Sequence, residues 1–189
     1  SARYIGDTSD GELTVATNAI PLDFRLSNNI FEDPGVTDGT NVLAVMDWNN
    51  YIWPNWTGPV TQNPDSSTTI GPDFAMAGDN YAYIDAGGIW QSFDVEIEQG
   101  ITYTLRCMMA EVGLNNPWYD FRLRCPDRNI DLALADKDTR PFEDANTWGS
   151  VSISWDSTDS EYVGLKLEAW FKGSRIAIDR VVLTAARTN

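Results

Sequence analysis

The sequence predicts an all-β protein, a β-sandwich of two antiparallel sheets, and three observations predict it. Clusters of Gly, Pro, Asn and Asp recur every dozen residues or so. The runs between them alternate apolar and polar residues with period two, and no run carries a convincing helical period. At 189 residues the chain is about one domain, 1–189, long enough to bury roughly 70% of the surface its unfolded form exposes. A core of that size needs no disulfide or metal staples.

The runs, in order, are 12–17, 81–85, 89–96, 102–109, 120–125, 129–134, 150–155, 162–171 and 175–184. The first lies within 1–25, which reads as an extra edge strand or extension. Turn chemistry separates the others: Ala86-Gly87-Gly88, Asn115-Asn116-Pro117 and Asp156-Ser157-Thr158-Asp159, with Asp33-Pro34-Gly35 and Asn63-Pro64-Asp65 earlier in the chain. Parity assigns the faces. Ile101, Tyr103, Leu105, Cys107 and Met109 fall on one side of their strand, as do Val151, Ile153 and Trp155 of theirs and Val163, Leu165, Leu167, Ala169 and Phe171 of theirs. Strands apolar on one side must bury that side against a second sheet, hence the sandwich.

Composition removes several functions. There is no histidine, so Ser-His-Asp and Cys-His catalysis, the two-histidine metalloprotease motif and histidine-bearing iron or copper sites are excluded. Thirteen Lys and Arg stand against 28 Asp and Glu, a net charge of −15. A charge of that sign opposes sequence-independent attraction to DNA, RNA or anionic lipid. No nucleic acid partner is expected. No stretch reaches the roughly 18 consecutive apolar residues of a membrane span, so no membrane insertion is expected either. The chain opens Ser1-Ala2-Arg3-Tyr4, without a basic n-region or an apolar h-region, and localisation is argued indirectly below.

Several segments in one order resemble a known family. Asn28-Asn29-Ile30-Phe31-Glu32 is followed by a Trp-rich segment and by Gly78-Asp79-Asn80-Tyr81-Ala82-Tyr83-Ile84. Then come Gly88-Ile89-Trp90-Gln91-Ser92-Phe93-Asp94-Val95, Gly100-Ile101-Thr102-Tyr103-Thr104-Leu105 and Ile178-Asp179-Arg180-Val181-Val182-Leu183. This order resembles the calcium-containing jelly-roll carbohydrate-binding modules of the galactose-binding-like superfamily. The resemblance runs from about Asn28 to Leu183. It implies a jelly-roll sandwich, sugar binding, and a secreted or cell-surface location in a bacterium.

It also implies one structural calcium ion held by the side chains of Glu32 and Asp179. Asp179 has the parity of Val181 and Leu183, so a strand that keeps those two inside also turns a carboxylate inward. A buried charge needs compensation, and calcium, with six to eight oxygen ligands, supplies it. Pairing with Arg175 or Arg180, or a place in water at the strand end, is the alternative.

Two aromatic groups are candidates for the sugar. Trp48, Tyr51, Trp53 and Trp56 crowd a segment punctuated by Pro54, Asn49, Asn50 and Asn55, and such a segment cannot bury all four. At least one plugs the end of the sandwich, and Trp53 and Trp56 are taken as ligand-binding. Asn55-Trp56-Thr57 also fits the glycosylation sequon, which occurs often by chance. Tyr103, Trp148, Trp155 and Phe31 read as packing. The second group rests on a hairpin between runs 102–109 and 120–125. In that hairpin Arg106, Arg122, Arg124 and Trp118 share an outer face. Arginine forks bind carboxylates and sulfates, and an indole stacks on a sugar ring. The face thus fits an acidic glycan or, where its arginines pair with Asp120, Asp127 or Glu111, either a merely solubilising role or a neutral chain held on Trp118 with the arginines as donors. Cys107 and Cys125 both face inward, as a disulfide or as two thiols.

Glu96-Ile97-Glu98 and Phe142-Glu143-Asp144 sit in charged, turn-like surroundings and read as solvated surface, without the setting of a glycosidase pair. The sequence therefore predicts a monomeric, non-catalytic polysaccharide-binding domain of a secreted enzyme or surface protein, with any catalysis in another domain. The alternatives are an adhesive surface module without sugar affinity and a histidine-free polysaccharide lyase acting through Tyr, Arg or Lys.

Overall fold

Among the described residues, the runs that the alternating pattern marks out between 81 and 184 each contain a strand, and these sort into two antiparallel sheets that face each other. The computed structural model describes Phe31 and residues 41–43, 48–52, 54, 58–62, 71–113, 117–136 and 144–187. Glu32, Trp53, Trp56, the run 12–17 and the Asp33 and Asn63 turns lie outside the described residues.

One sheet has six strands in the order β1-β3-β4-β11-β6-β9 and the other five in the order β2-β5-β10-β7-β8. The strands are β1 (Asn41–Leu43), β2 (Asn49–Ile52), β3 (Pro59–Gln62), β4 (Tyr81–Ile84), β5 (Gly87–Glu96), β6 (Ile101–Glu111), β7 (Trp118–Cys125), β8 (Ile130–Asp136), β9 (Gly149–Asp156), β10 (Lys166–Ser174) and β11 (Ile176–Arg187). The chain changes sheet at short corners, between β4 and β5 and again between β10 and β11. This interleaving makes the sandwich a jelly roll. The first three strands have three or four residues each, too few for alternation to declare itself in the sequence.

Parity assigns most faces correctly. Ile101, Tyr103, Leu105, Cys107 and Met109 are fully buried between the sheets, with Phe93, Phe121, Leu123, Ala169 and Phe171 opposite them. Phe121 stacks on Phe171 with ring centres 4.8 Å apart, and Trp48 fills the adjoining space, 5.9 Å from Phe171 and 5.7 Å from Phe31. Of the two described aromatics of its segment, Trp48 plugs the core and Tyr51 is half exposed. Val163 is a miss. It is exposed because β10 begins only at Lys166, after a turn.

The expected hairpin of 102–109 with 120–125 does not form. β6 pairs with β11 and β9, and β7 pairs with β10 and β8. A period-two pattern fixes which side of a strand is buried but not which strand lies beside it. The chain leaves the six-stranded sheet after β6 and enters the five-stranded one at β7. Arg106 therefore stands on the outer face of the opposite sheet, between Ser152 and Val182, and cannot join Arg122 and Arg124. Cys107 and Cys125 are likewise in different sheets, and both are free thiols.

Asp179 is buried, but not where its parity with Val181 points. A bulge in β11 between Asp179 and Val182, with Arg180 at φ 50°, shifts the alternation by one. Ile176 and Ile178 face the inter-sheet core above the bulge, and Val181 and Leu183 below it. Asp179 thereby falls on the side of Ala177, under residues 75–77, where a second apolar cluster of Val60, Tyr81, Tyr83, Ala110, Val112 and Ala177 is packed.

Candidate functional site

The outer face of the five-stranded sheet gathers aromatic and charged side chains from four strands. On β5 the residues of even number point outward, and on β7 and β10 likewise, because their odd-numbered neighbours fill the core. Trp90 of β5 stands opposite Trp170 of β10, and Trp170 in turn opposite Arg122 of β7. One step along, Ser92, Glu168 and Arg124 form a parallel row; on the other side Tyr51, Gly88, Lys172 and Asp120 form another. Trp118 lies further out, opposite Ser174. All three tryptophans are partly exposed.

The guanidinium carbons of Arg124 and Arg122 lie over the Trp170 ring, 4.6 Å and 5.1 Å from its centre. Lys172 places its ammonium 5.9 Å from the centre of Trp118. Each arginine is also held edge-on by acids. Arg122 donates from Nη2 to Asp120 Oδ2 and from Nη1 to Asp131 Oδ2, each at 2.6 Å. Arg124 donates from Nε to Asp131 Oδ1 at 2.8 Å and from Nη2 to Asn129 Oδ1 at 2.6 Å, and its Nη1 lies 3.6 Å from Glu168 Oε1.

Two local irregularities bring these acceptors in. Pro126 opens one 3-10 turn after β7, and Asn129 closes it with φ 51°, a left-handed conformation that Asn tolerates better than most residues. Beyond it, a bulge in β8 sets Arg124 opposite Asp131 while Leu123 is opposite Ala133. Uniform pairing would have put Leu132 there. Instead Leu132 packs toward the core and Asp131 comes out beside the arginines.

Glu168 is the one buried carboxylate of this row. Ser92 donates to its Oε2 at 3.4 Å. Burial pushes its carboxyl pKa up, and Arg124 and the Ser92 hydroxyl pull it back only in part. Glu96 and Glu98 are exposed, as the sequence predicts.

The sequence thus finds Trp118, Arg122 and Arg124 but misses Trp90, Trp170 and Glu168, the centre of the face. Their outward parity was readable. What was not readable is that β10 lies between β5 and β7. Of the other predicted site residues, Arg106 is on the far sheet, and Trp53, Trp56 and Glu32 lie outside the described residues.

For calcium, Asp179 brings a buried carboxylate, yet three backbone N–H groups already meet it. Met76 and Ala77 donate to Oδ2 at 2.7 Å and 2.9 Å, and Arg180 to Oδ1 at 2.7 Å. Among the described residues no three Cys, Asp or Glu side chains come together as a metal site. Asp179 is the single contribution of the expected pair that can be described.

No family model matches this sequence, and no curated protein matches it either. Solved structures do share the fold. The Stig cyclase FisC from Fischerella sp. TAU, in complex with (3Z)-3-(1-methyl-2-pyrrolidinylidene)-3H-indole, is 18% identical with a TM-score of 0.73, covering 88% of this chain and 98% of the cyclase. An arabinose-bound MgGH51 α-L-arabinofuranosidase is 14% identical with a TM-score of 0.53, over 86% of this chain and 26% of the enzyme. A CBM4 carbohydrate-binding structure overlaps at a TM-score of 0.46 and 15% identity, over 85% of this chain and 99% of the other. The jelly-roll expectation holds.

The expectation of a non-catalytic module is overturned. Cyclases of this fold, four structures with TM-scores from 0.70 to 0.74, are covered over 97 to 98% of their own length. Jelly rolls of this length and topology therefore include enzymes, and the fold by itself does not mark a non-catalytic module.

Proposed function

We propose that the outer face of the five-stranded sheet binds a ring-bearing ligand of the saccharide class, and that Glu168 exchanges a proton with that ligand. The observation that carries this is the presence, on one face, of the cross-strand pair Trp90 and Trp170 beside a buried carboxyl whose pKa is raised. The apolar C–H faces of a sugar ring lie flat on indoles. Its hydroxyls accept from the arginine N–H groups along the rim. A carboxyl that keeps its proton to higher pH is better matched to acid work near neutrality. In a chain without histidine, that work falls to such a group. Glu168 gives its proton to the bound ligand and, as carboxylate, takes one back before release, so the protein ends unchanged.

The FisC cyclase holds an indole compound, and a flat heteroaromatic ring also stacks on indoles, which favours a small aromatic ligand as the second reading. Titration of intrinsic tryptophan fluorescence with cellohexaose, xylohexaose and indole separates the two. Saturable binding of a hexaose that is lost in Trp170→Ala supports the saccharide. Binding of indole alone moves the assignment to the second reading, and binding of none removes the site. For Glu168, hexaose affinity measured across the acid range tests the proton exchange: a pH dependence in the wild type that is abolished in Glu168→Gln supports it, and identical profiles remove it.

A further inference from the structure

Asp131 sits where an anionic ligand would sit. Its two oxygens bridge two guanidinium groups, Oδ2 accepting from Arg122 Nη1 at 2.6 Å and Oδ1 from Arg124 Nε at 2.8 Å. Two arginine edges converging on one planar carboxylate form the clamp by which proteins recognise carboxylates, phosphates and sulfates. Here the occupant belongs to the chain itself.

The placement depends on a specific irregularity. The β8 bulge exchanges Leu132 for Asp131 opposite Arg124, and bulges near binding sites commonly re-aim a side chain in this way. Asp131 is partly exposed, its side chain at 33%, and the arginines at 22% and 16%. Solvent and ligands therefore reach the clamp. Charge points the same way. Two guanidiniums are met by the two carboxylates of Asp120 and Asp131, with Glu168 beside them, so no net positive charge is left for an acid ligand, while N–H hydrogens remain for hydroxyls.

We infer that Asp131 is a built-in anion that sets the charge specificity of this face: it fills the two-arginine clamp, turns away carboxylate and sulfate ligands, and leaves an uncharged ligand as the accepted class. The inference deepens the proposed function and rests on it for the ligand. The clamp itself is tested independently. Of the acidic and neutral glycans that the sequence reading leaves open, it selects the neutral.

The test uses Asp131→Ala and Asp131→Asn, with Asp159→Asn, an exposed loop acid, as the control for the same change in net charge. Formate, set against chloride at equal ionic strength, is the small probe. Formate should raise the melting temperature of Asp131→Ala and leave the wild type and Asp159→Asn unmoved. In calorimetry at low salt, hexagalacturonate should bind Asp131→Ala and Asp131→Asn about tenfold or more tighter than wild type, the scale of a hydrogen-bonded charge pair. That gain should shrink at high salt. If Asp131→Ala is too unstable to purify, Asp131→Asn, which keeps one acceptor, carries the same comparison. No gain for formate or hexagalacturonate in either variant overturns the clamp, even where cellohexaose binds. Wild type that already binds hexagalacturonate as tightly as cellohexaose overturns it too. A gain for anions in the variants, with no hexaose bound by the wild type, supports the clamp and removes the saccharide reading.

Discussion

Trp90 and Trp170 face each other across adjacent antiparallel strands, in register, on the outer side of the five-stranded sheet. The pairing puts two indoles next to each other on the sheet surface. The second of them also lies beneath Arg122 and Arg124. Replacing either with alanine should cost ligand affinity at least about tenfold, in line with aromatic anchors of recognition surfaces. The melting temperature should fall by only a few degrees, because neither side chain is in the core. Trp118→Ala, one sheet step further out, should weaken long oligosaccharides more than short ones. Isothermal titration with a ladder of chain lengths reads both.

Glu168 makes stability depend on pH in an unusual direction for an acid. Its folded pKa lies above the ordinary carboxyl value, so the folded chain holds a proton that the unfolded chain has released. Its contribution is present below the unfolded pKa and is lost as pH rises through the folded one. Wild type should therefore lose stability relative to Glu168→Gln over that interval, and the two curves should run parallel above and below it. Denaturant unfolding across the acid range gives the difference directly.

Asp179 ties residues 76 and 77 to the closing strand. Asp179→Ala leaves three partly buried N–H donors without this acceptor and should cost about 2 kcal/mol or more. A calcium ion shared with Glu32 is proposed in addition and has a separate signature. Under it, excess chelator lowers the melting temperature by mass action, and elemental analysis finds about one calcium per chain. An unchanged melt and no metal remove the ion.

Gly87 opens β5 at φ 143°, and a Cβ there would collide with the carbonyl oxygen of Tyr51. Both the backbone conformation and the β2–β5 pairing, Tyr51 with Gly88 and Ile52 with Gly87, oppose any larger residue. Gly87→Ala should destabilise by about 2 kcal/mol and speed amide exchange in residues 49–52. If exchange there is unchanged, β2 is not held by this contact.

Cys107 and Cys125 are buried thiols in different sheets, and burial raises the pKa of both. A thiol reagent should find neither in the native protein and both after unfolding without reductant. One disulfide per unfolded chain would contradict the topology.

The sequence by itself determined the class of fold and the side of each long strand that is buried. Side chains alternate across a strand whatever its neighbours do, so Leu105, Ile153 and Phe171 declared themselves inward and Arg122, Arg124 and Trp118 outward. It also determined that a histidine-free chain must do any acid–base work with other groups. Tertiary structure alone decided who stands beside whom. Strand order comes from long-range pairing and turns a list of outward residues into one surface. It set β10 between β5 and β7, which joined Trp90, Trp170 and Glu168 to the two arginines, and it sent Arg106 to the opposite sheet. Two bulges decided the rest. A single inserted residue reverses parity beyond it, and that shift placed Asp179 beneath residues 75–77 and brought Asp131, in place of Leu132, out between Arg122 and Arg124.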